Sequence, residues 1–584
     1  MNYPVWDIPG SGLLIAAIAI LHVFVSHFAV GGGLFLVLAE RKARREQDMP
    51  LLDYVRLHSR FFILVTLVLG AITGVGIWFT IGLVHPQATS SLINTFVWGW
   101  AIEWTFFVAE IGAAMVYYYG WDRLSPRTHV TVGWIYFANA WLSLVVINGI
   151  LTYMLTPGAW VTTRGFWDGF FNETYWPGLV ARTFAAAGLA GLYALLTASW
   201  LADADLKEKV ARYAAWSWIV PMAVALPLSL LWYLAAANGA GVPVAEILGA
   251  KTGGVGAILD AVFSRSDTGY PIAQAAAFWL LLASVTLVLF TLYIALMRAR
   301  NYRWPLAAFV MVLGFVAMGA GEWVREDLRK PYVIGRFMFV HGVRLPPPPG
   351  VPVPPPDMVD RFGADRFTVD ALNAAGVMAS SPWMRDTPPD MAGDELLRIG
   401  HEGRELFRAE CSWCHTERGY LAIAPLVKGK SAVALQNVLA RLADPVDAAG
   451  SPAAWNSADL RLKTWRSRRM PPFVGTDRER ATLAAYLALV GGASADELLP
   501  PETPGGGSGG RTYFETNCSA CHAPDGLAPF DARGRTADEL YEMIGRLPAI
   551  NDMMPAFEGS DEERRALADY MATIRGARPK GGAE

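Results

Sequence analysis

The chain has 584 residues, of which 53% are hydrophobic and only 17% are charged, and its mean hydropathy is +0.30. This composition excludes a wholly soluble protein and predicts a membrane part joined to a polar part. The formal net charge of −3 provides no strongly basic surface, so no nucleic acid partner is expected. All four cysteines fall in two short patterns of the same form, which excludes a disulfide framework.

Eight apolar runs occupy the first 325 residues, and each is long enough, at about 20 residues, to cross a bilayer. They lie at 12–38, 59–84, 95–119, 129–154, 178–201, 213–237, 272–297 and 304–324. No Lys or Arg precedes the first run, so we expect a retained span there and not a cleaved leader. The fold class predicted for residues 1–330 is an all-α bundle of eight transmembrane helices.

The basic residues predict which side each loop faces, because cytoplasmic loops are rich in Lys and Arg. The loops after the first, third, fifth and seventh runs hold most of them, including Arg41, Arg123, Lys207 and Arg298. The loop at 85–94 holds none. We therefore expect a multi-pass protein of a bacterial inner membrane, with its N-terminus and all of its C-terminal part on the periplasmic side.

The composition changes after the eighth run, which predicts four further segments. Residues 331–394 form a linker whose prolines, at 346–349 and 352–356, favour an extended and semi-rigid chain. Residues 395–495 and 511–584 are predicted to be two small α-helical domains, the second of which ends in a frayed tail. Residues 496–510 form a Gly/Ser-rich hinge between them.

Each small domain carries one C-x-x-C-H pattern: Cys411-Ser412-Trp413-Cys414-His415 in the first and Cys518-Ser519-Ala520-Cys521-His522 in the second. Two thiols at this spacing reach the two vinyl groups of one porphyrin, and the adjacent imidazole then points at the iron. A zinc site would need two further ligands nearby, and the chain has no other cysteine. We therefore predict two cytochrome c domains with two covalent haem c groups. Cys411 and Cys414 attach one and Cys518 and Cys521 the other, with His415 and His522 as iron ligands.

Each domain also has a methionine downstream that suits the opposite face of the iron. Met470 precedes Pro471-Pro472-Phe473 and Met554 precedes Pro555-Ala556-Phe557, which resembles the methionine loop of class I cytochromes c. The resemblance implies that Met470 and Met554 are iron ligands, which raise the reduction potential relative to a second histidine. Met553 is an adjacent competitor for Met554, and a core methionine is the alternative for either ligand.

Ionisable side chains inside membrane spans are costly and indicate function. His22 and His27 lie in the first run, Glu103 and Glu110 in the third, and Glu326 at the end of the eighth. A rise of about 1.5 Å per residue from the outer end places His22 about 15 Å deep and Glu103 about 12 Å deep. Glu110 lies two helical turns beyond Glu103, and therefore on the same face. The sequence predicts a functional site in the outer half of the bilayer.

Four motifs in chain order resemble the large subunit, subunit I, of cytochrome bd oxidases, over about 330 residues. They are Leu21–Val25, Arg60–Phe62 with Gly70–Gly74, Glu103–Glu110 with Gly120–Leu124, and Gly321–Tyr332, in which Tyr332 replaces a tryptophan. The resemblance implies that His22 binds a high-spin haem and that Glu326 binds or hydrogen-bonds a neighbouring haem. It also implies that Arg329 holds a propionate.

The same resemblance gives Glu103 and Glu110 the roles of an iron-side carboxylate and a proton relay. It implies one or two non-covalent haems, haem b with or without haem d, and a second membrane subunit similar to subunit II of the family. Two alternatives stay open, because Glu326 can pair with Arg329 and His27 can act as a ligand. His341 is expected at the surface, and His129 at a span end where a histidine costs little.

The chain departs from the family at positions that matter for function. Where the family has the histidine of its low-spin haem b, this chain reads Ala181-Arg182-Thr183-Phe184, and Arg182 is expected to pair with a carboxylate or a propionate. The segment Ala275–Trp279 lacks that haem's methionine, and the quinol-binding loop is reduced to Asn238–Tyr270. The linker and the cytochrome c domains replace the ninth span. The Glu103–Glu110 interval is one residue shorter than the family's.

These observations predict a respiratory haem oxidoreductase, a bd-like terminal oxidase subunit that receives electrons through periplasmic c-type haems and reduces dioxygen at a buried high-spin haem. A soluble or membrane-bound cytochrome c, or another periplasmic donor, is the expected electron partner. The alternatives are an electron conduit between quinol and cytochrome c without oxygen reduction, nitric oxide chemistry at the same haem, and a gas sensor.

Overall fold

The computed structural model describes residues 8, 10–248, 271–345, 367–381, 384–391, 393–443, 470–494, 498, 509–522, 530, 532, 535–550, 554, 556–557 and 559–574. The predicted proline runs, most of the predicted hinge, Met553 and the tail lie outside the described residues, as does most of the loop at 238–270. The chain divides into two compact units. One is Leu13–Phe362, and the other combines Met1–Gly12 with Gly363–Glu584.

The first unit contains eight helices that are long and apolar enough to cross a membrane, which confirms the predicted all-α fold class. We call them spans one to eight. Their bounds are Ser11–Glu46, Met49–Val84, Val97–Tyr119, Pro126–Tyr153, Tyr175–Ala198, Ala204–Gly239, Ile272–Arg298 and Trp304–Arg329. Shorter helices lie at Pro86–Thr95, Trp160–Thr163, Phe166–Phe170 and Val244–Leu248.

Several helices extend beyond their apolar runs. Span one continues through the basic residues to Glu46, and span two already begins at Met49, so the connection between them is only two residues long. Asp48 caps span two by accepting a hydrogen bond from the Leu51 N–H at 3.1 Å. Arg44 and Arg45 occupy the last turn of span one, where cations interact favourably with the helix dipole. An apolar run shows only which part of a helix lies in lipid. The helix itself continues beyond the run wherever the following residues are good helix formers.

Three spans contain a π-helical segment, at Leu64–Leu69 in span two, Ala215–Ile219 in span six and Ile294–Arg298 in span seven. Such segments are frequent at functional sites, because the wider turn re-aims the side chains that follow it.

A small β-hairpin follows span eight, within the stretch predicted to be linker. Tyr332–Ile334 pairs antiparallel with Met338–Phe339, with an irregularity in register. Its residues are buried, and they pack against the core of the first unit. The expectation that His341 lies at the surface is wrong, because only 3% of it is exposed. The segment around His341 is rich in apolar residues, which pack against the helical bundle and bury the histidine with them.

The second unit consists of short helices. Their bounds are Val369–Ala375, Val377–Ser380, Glu395–Glu410, Ala424–Val427, Ala432–Ala443, Asp477–Val490, Gly509–Asn517, Ser519–His522, Ala537–Ile544, Leu547–Ile550 and Asp561–Thr573. The first two of these also lie in the stretch predicted to be linker. They are held to the unit by the Met378 N–H, which donates to Glu479 Oε1 at 2.7 Å.

Candidate functional site

His22 lies on span one and faces span two. Its Nδ1 is 3.0 Å from the hydroxyl oxygen of Thr73, and a Cβ added at Gly74 would lie 3.2 Å from its Cε1. His27, five residues further along span one, is buried and its Nδ1 donates to the Val23 carbonyl at 2.8 Å. The His27 side chain therefore bonds within its own helix, whereas His22 bonds across two spans.

Glu103 and Glu110 both lie on the face of span three that packs against span four. The Ser143 hydroxyl donates to Glu103 Oε1 at 2.9 Å, and the Tyr136 hydroxyl is 2.8 Å from Glu110 Oε1. The prediction that the two carboxylates share one face is therefore confirmed. Both are half-buried, about 10 Å apart along the helix axis. The described contacts include no hydrogen bond from either carboxylate to His22.

Glu326 and Arg329 form an ion pair near the end of span eight, which is the alternative that the sequence left open for Glu326. Arg329 Nη1 also donates to the Val333 carbonyl at 2.9 Å and lies 3.6 Å from the sulfur of Met154. Its buried Nε has no hydrogen-bond partner among the described residues. A guanidinium with a buried N–H group that makes no hydrogen bond within the described residues is suited to bind an anionic ligand such as a propionate.

A second charged cluster in span eight was missed by the sequence analysis. Glu322 bonds Arg325 on its own helix at 2.7 Å, and its other oxygen lies 3.5 Å from Arg182 of span five. The expected pairing of Arg182 with a carboxylate is thus confirmed. Glu322 is four residues before Glu326, and that i, i+4 spacing of two carboxylates in a span was the available signal.

A third cluster, also missed, joins spans one, three and four around the fully buried Glu40. His129 Nδ1 is 2.8 Å from Glu40 Oε1, the Tyr117 hydroxyl donates to Oε2 at 2.8 Å, and Arg44 Nε donates to Oε1 at 2.7 Å. His129 Nε2 also faces an acceptor, the Tyr117 carbonyl at 2.9 Å. His129 therefore lies near the start of span four, as expected, but it is fully buried and joins spans one, three and four through its hydrogen bonds.

Replacing Glu40 with Gln is expected to lower the free energy of unfolding by about 3 kcal/mol, because removing one partner of a buried pair leaves the other charges uncompensated. Unfolding titrations in detergent measure the change. Glu46→Gln is the matched control, since Glu46 pairs with Lys42 at an exposed site on the same helix and its loss should leave unfolding unchanged. Equal effects of the two variants would contradict a stabilising role for the Glu40 cluster.

In the second unit, the first C-x-x-C-H motif forms a helical turn directly after the helix Glu395–Glu410. The backbone N–H of Cys414 and that of His415 both donate to the Cys411 carbonyl, at 3.1 and 2.9 Å. His415 Nδ1 donates to the Leu421 carbonyl at 2.9 Å, since a carbonyl can only accept. This contact fixes the tautomer of His415 and leaves Nε2 as the nitrogen suited to bind iron.

The loop that follows Met470 is anchored beside this motif. The Val474 N–H donates to Glu410 Oε2 at 3.1 Å, and Glu410 directly precedes Cys411. Burial raises the pKa of Glu410 well above its usual range. The contact brings the segment with Met470 to the end of the helix that carries the thiols.

The second motif lies in a module with the same internal spacing. Gly403 and Gly510 each precede their first cysteine by eight residues, and Phe407 and Phe514 by four. Both phenylalanines are buried. An added Cβ would lie 2.3 Å from the Cβ of Tyr486 at Gly403 and 1.8 Å from the Ala566 carbonyl oxygen at Gly510. Each module therefore crosses its first helix over its last at a glycine.

The two methionines also hold equivalent places. Thr476 and Ser560 cap the last helix of their modules with capping boxes, and Met470 and Met554 each precede the cap by six residues. This equivalence favours Met554 over the neighbouring Met553 as the counterpart of Met470. Among the described residues, no group of three or more His, Cys, Asp or Glu side chains forms a separate metal site.

Comparisons with known proteins identify two regions. Residues 11–248 match the family model of cytochrome bd terminal oxidase subunit I, and residues 507–571 match that of cbb3-type cytochrome c oxidase subunit III. The solved bd oxidase from Geobacillus thermodenitrificans is similar over 57% of this chain and 89% of its own, with 16% identity and a TM-score of 0.45. No curated protein matches the chain. The chain is thus similar to bd oxidase subunit I over residues 11–248 and to a cytochrome c domain over residues 507–571, which confirms the two resemblances that the sequence indicated.

Proposed function

We propose that this chain is a bd-like terminal oxidase subunit that accepts electrons through its cytochrome c modules and reduces dioxygen in its membrane unit. One observation carries the proposal: a bd subunit I region and a cytochrome c domain are covalently joined in one chain. Arg182 lies in the segment where the family has the histidine of its low-spin haem b, and it forms an ion pair with Glu322. A charged pair in place of that haem ligand supports the entry of electrons by another route.

The residues of the second unit suit two covalent haem c groups. Cys411 and Cys414 lie in one helical turn beside His415, and His522 follows Cys518 and Cys521 at the same spacing. Met470 and Met554 are proposed as the opposite ligands, which their equal distance from the helix cap supports. A thioether ligand favours a high potential, which suits acceptance of electrons from a soluble or membrane-bound cytochrome c.

The membrane unit is proposed to hold one or two non-covalent haems, haem b with or without haem d. When bound, such haems supply electron transfer and the reduction of dioxygen. His22 fits an iron ligand because its Nδ1 is hydrogen-bonded to Thr73, so that Nε2 is the nitrogen that would bind iron. Arg329 fits a propionate because its buried Nε has no hydrogen-bond partner among the described residues. Glu326, paired with Arg329, is proposed as a ligand or hydrogen-bond partner of a haem.

Glu103 and Glu110 are proposed to take up and hold the protons that oxygen reduction consumes. Ser143 and Tyr136 place a hydroxyl on each carboxylate, so the span three to span four interface carries a row of groups that can exchange protons. We further propose an inner-membrane location with periplasmic cytochrome c modules, and a second membrane subunit as partner.

Glu110→Gln is expected to reduce oxygen uptake about 100-fold, because an amide cannot deliver the proton that a carboxyl group does. Haem content should stay as in the wild type. Oxygen electrode measurements on haem-quantified protein test this result. Asn139→Ala is the matched control, since Asn139 is a half-buried polar residue of span four and bonds only the Ile135 carbonyl among its described contacts. Oxygen uptake at the wild-type rate in Glu110→Gln would show that Glu110 does not deliver protons.

The deciding experiment combines a pyridine haemochrome analysis with oxygen uptake driven by reduced cytochrome c. The proposal expects two haem c groups per chain, at least one further haem, a carbon monoxide difference spectrum, and uptake of oxygen. Quinol-dependent reduction of cytochrome c without oxygen uptake would instead identify an electron conduit. Consumption of nitric oxide without consumption of oxygen would instead identify nitric oxide chemistry at the same haem.

A further inference from the structure

The hydroxyl of Thr73 has a fixed direction. Thr73 Oγ1 lies 2.8 Å from the Leu69 carbonyl and 3.1 Å from the Gly70 carbonyl, and both can only accept. Its single proton is therefore used within span two. The lone pair that remains faces His22 Nδ1 at 3.0 Å, so the hydrogen bond between the spans is donated by the imidazole. His22 is thus held with its proton on Nδ1, and Nε2 carries the lone pair.

Thr73 lies on the buried face of span two, in line with Thr66 and Thr80 at seven-residue intervals. Only 2% of it is exposed, whereas Ile72 and Val75 beside it are 65% and 69% exposed. A threonine that bonds its own helix at i−4 can face any side of that helix. Here the same hydroxyl also reaches span one, which back-bonding alone does not require.

Two further features of span two serve the same contact. A Cβ added at Gly74 would lie 3.2 Å from Cε1 and 3.9 Å from Nε2 of His22, so the absence of a side chain there admits the ring. The π-helical segment Leu64–Leu69 ends at the residue that accepts the Thr73 proton. One extra residue in a turn rotates everything after it by about 100°, and this rotation sets which face Thr73 occupies.

We propose that Thr73 is a positioning residue, which fixes the tautomer of His22 and presents Nε2 as the atom that binds iron. The inference rests on the proposed function, in which His22 is a haem ligand. Outer partners of this kind typically change metal affinity or activity 10- to 100-fold when they are removed. Gly74 is the second element of the same device, because it keeps the ring edge unobstructed.

The test uses Thr73→Val, which keeps the shape and removes the hydroxyl, and Thr73→Ser, which keeps the hydroxyl. Resonance Raman spectra of the reduced full chain report the iron–histidine stretching band, and pyridine haemochrome analysis counts the haems. Thr73→Val should retain both c-type haems, shift the iron–histidine band to lower frequency and retain non-covalent haem about 10-fold more weakly. Thr73→Ser should restore the wild-type band.

Gly74→Ala supplies a second and independent variant. It should shift the same band by moving the ring, whereas Gly82→Ala on the same span should not, since an added Cβ at Gly82 meets nothing within 4 Å. An unchanged band and haem count in Thr73→Val would overturn the role of Thr73 and leave the proposed function standing. A wild-type protein without non-covalent haem would overturn both.

Discussion

Replacing His22 with alanine is expected to remove the high-spin haem and to lower oxygen uptake at least about 100-fold, while both c-type haems remain. The reason is that the donor atom of the proposed iron ligand is lost, whereas the cytochrome c modules lie in a separate compact unit with thiols of their own. Carbon monoxide difference spectra and oxygen uptake on the purified full chain measure the two effects.

His27→Ala is the matched control for this prediction. His27 lies on the same span, is equally an imidazole, and bonds only its own helix through the Val23 carbonyl among its described hydrogen bonds. We expect His27→Ala to keep both the high-spin signal and oxygen uptake. If His27→Ala lost the high-spin haem and His22→Ala kept it, the assignment of the ligand would have to move to His27.

The double substitution Cys411→Ser with Cys414→Ser is expected to lower the covalent haem count from two to one and cytochrome c-driven oxygen uptake by at least about 10-fold. A serine hydroxyl does not form the thioether that attaches the porphyrin, so the module cannot keep its haem through denaturation. Haem-stained denaturing gels and pyridine haemochrome analysis give the count.

The corresponding change in the second module, Cys518→Ser with Cys521→Ser, tests haem attachment at the second motif. Each pair should remove one covalent haem and leave the non-covalent haem unchanged. Ser412→Ala, which lies between the thiols of the first motif, is the control for folding of that module. Two covalent haems remaining in either double variant would refute attachment at that motif.

Much of the fold could be predicted from the chain because lipid imposes a simple rule. A span must be apolar for about 20 residues, and all eight spans follow it. The helix ends were less predictable, since the apolar run stops where lipid stops, whereas the helix ends at a cap such as Asp48. The hairpin at Tyr332–Phe339 was missed because five strand residues have no periodic pattern long enough to read.

The candidate site shows the same division. Glu103 and Glu110 could be placed on one face from helical spacing alone, and each C-x-x-C-H motif is local in sequence. The Glu40 cluster was missed because its partners come from three spans, and His129 lies 89 residues after Glu40. Nothing in the local sequence of Glu40 distinguishes it from a basic, solvated helix end. Only packing makes it fully buried.

The Glu40 cluster also constrains how the protein is made. Span one is synthesised long before span four, so its carboxylate reaches the membrane without Tyr117 and His129 and has only Arg44, one turn away, for a partner. Until the later helices arrive, a carboxylate at that end of span one is costly in lipid, so we expect it to stay near the aqueous boundary. We therefore expect insertion of the third and fourth helices to fix the depth of the first in the membrane.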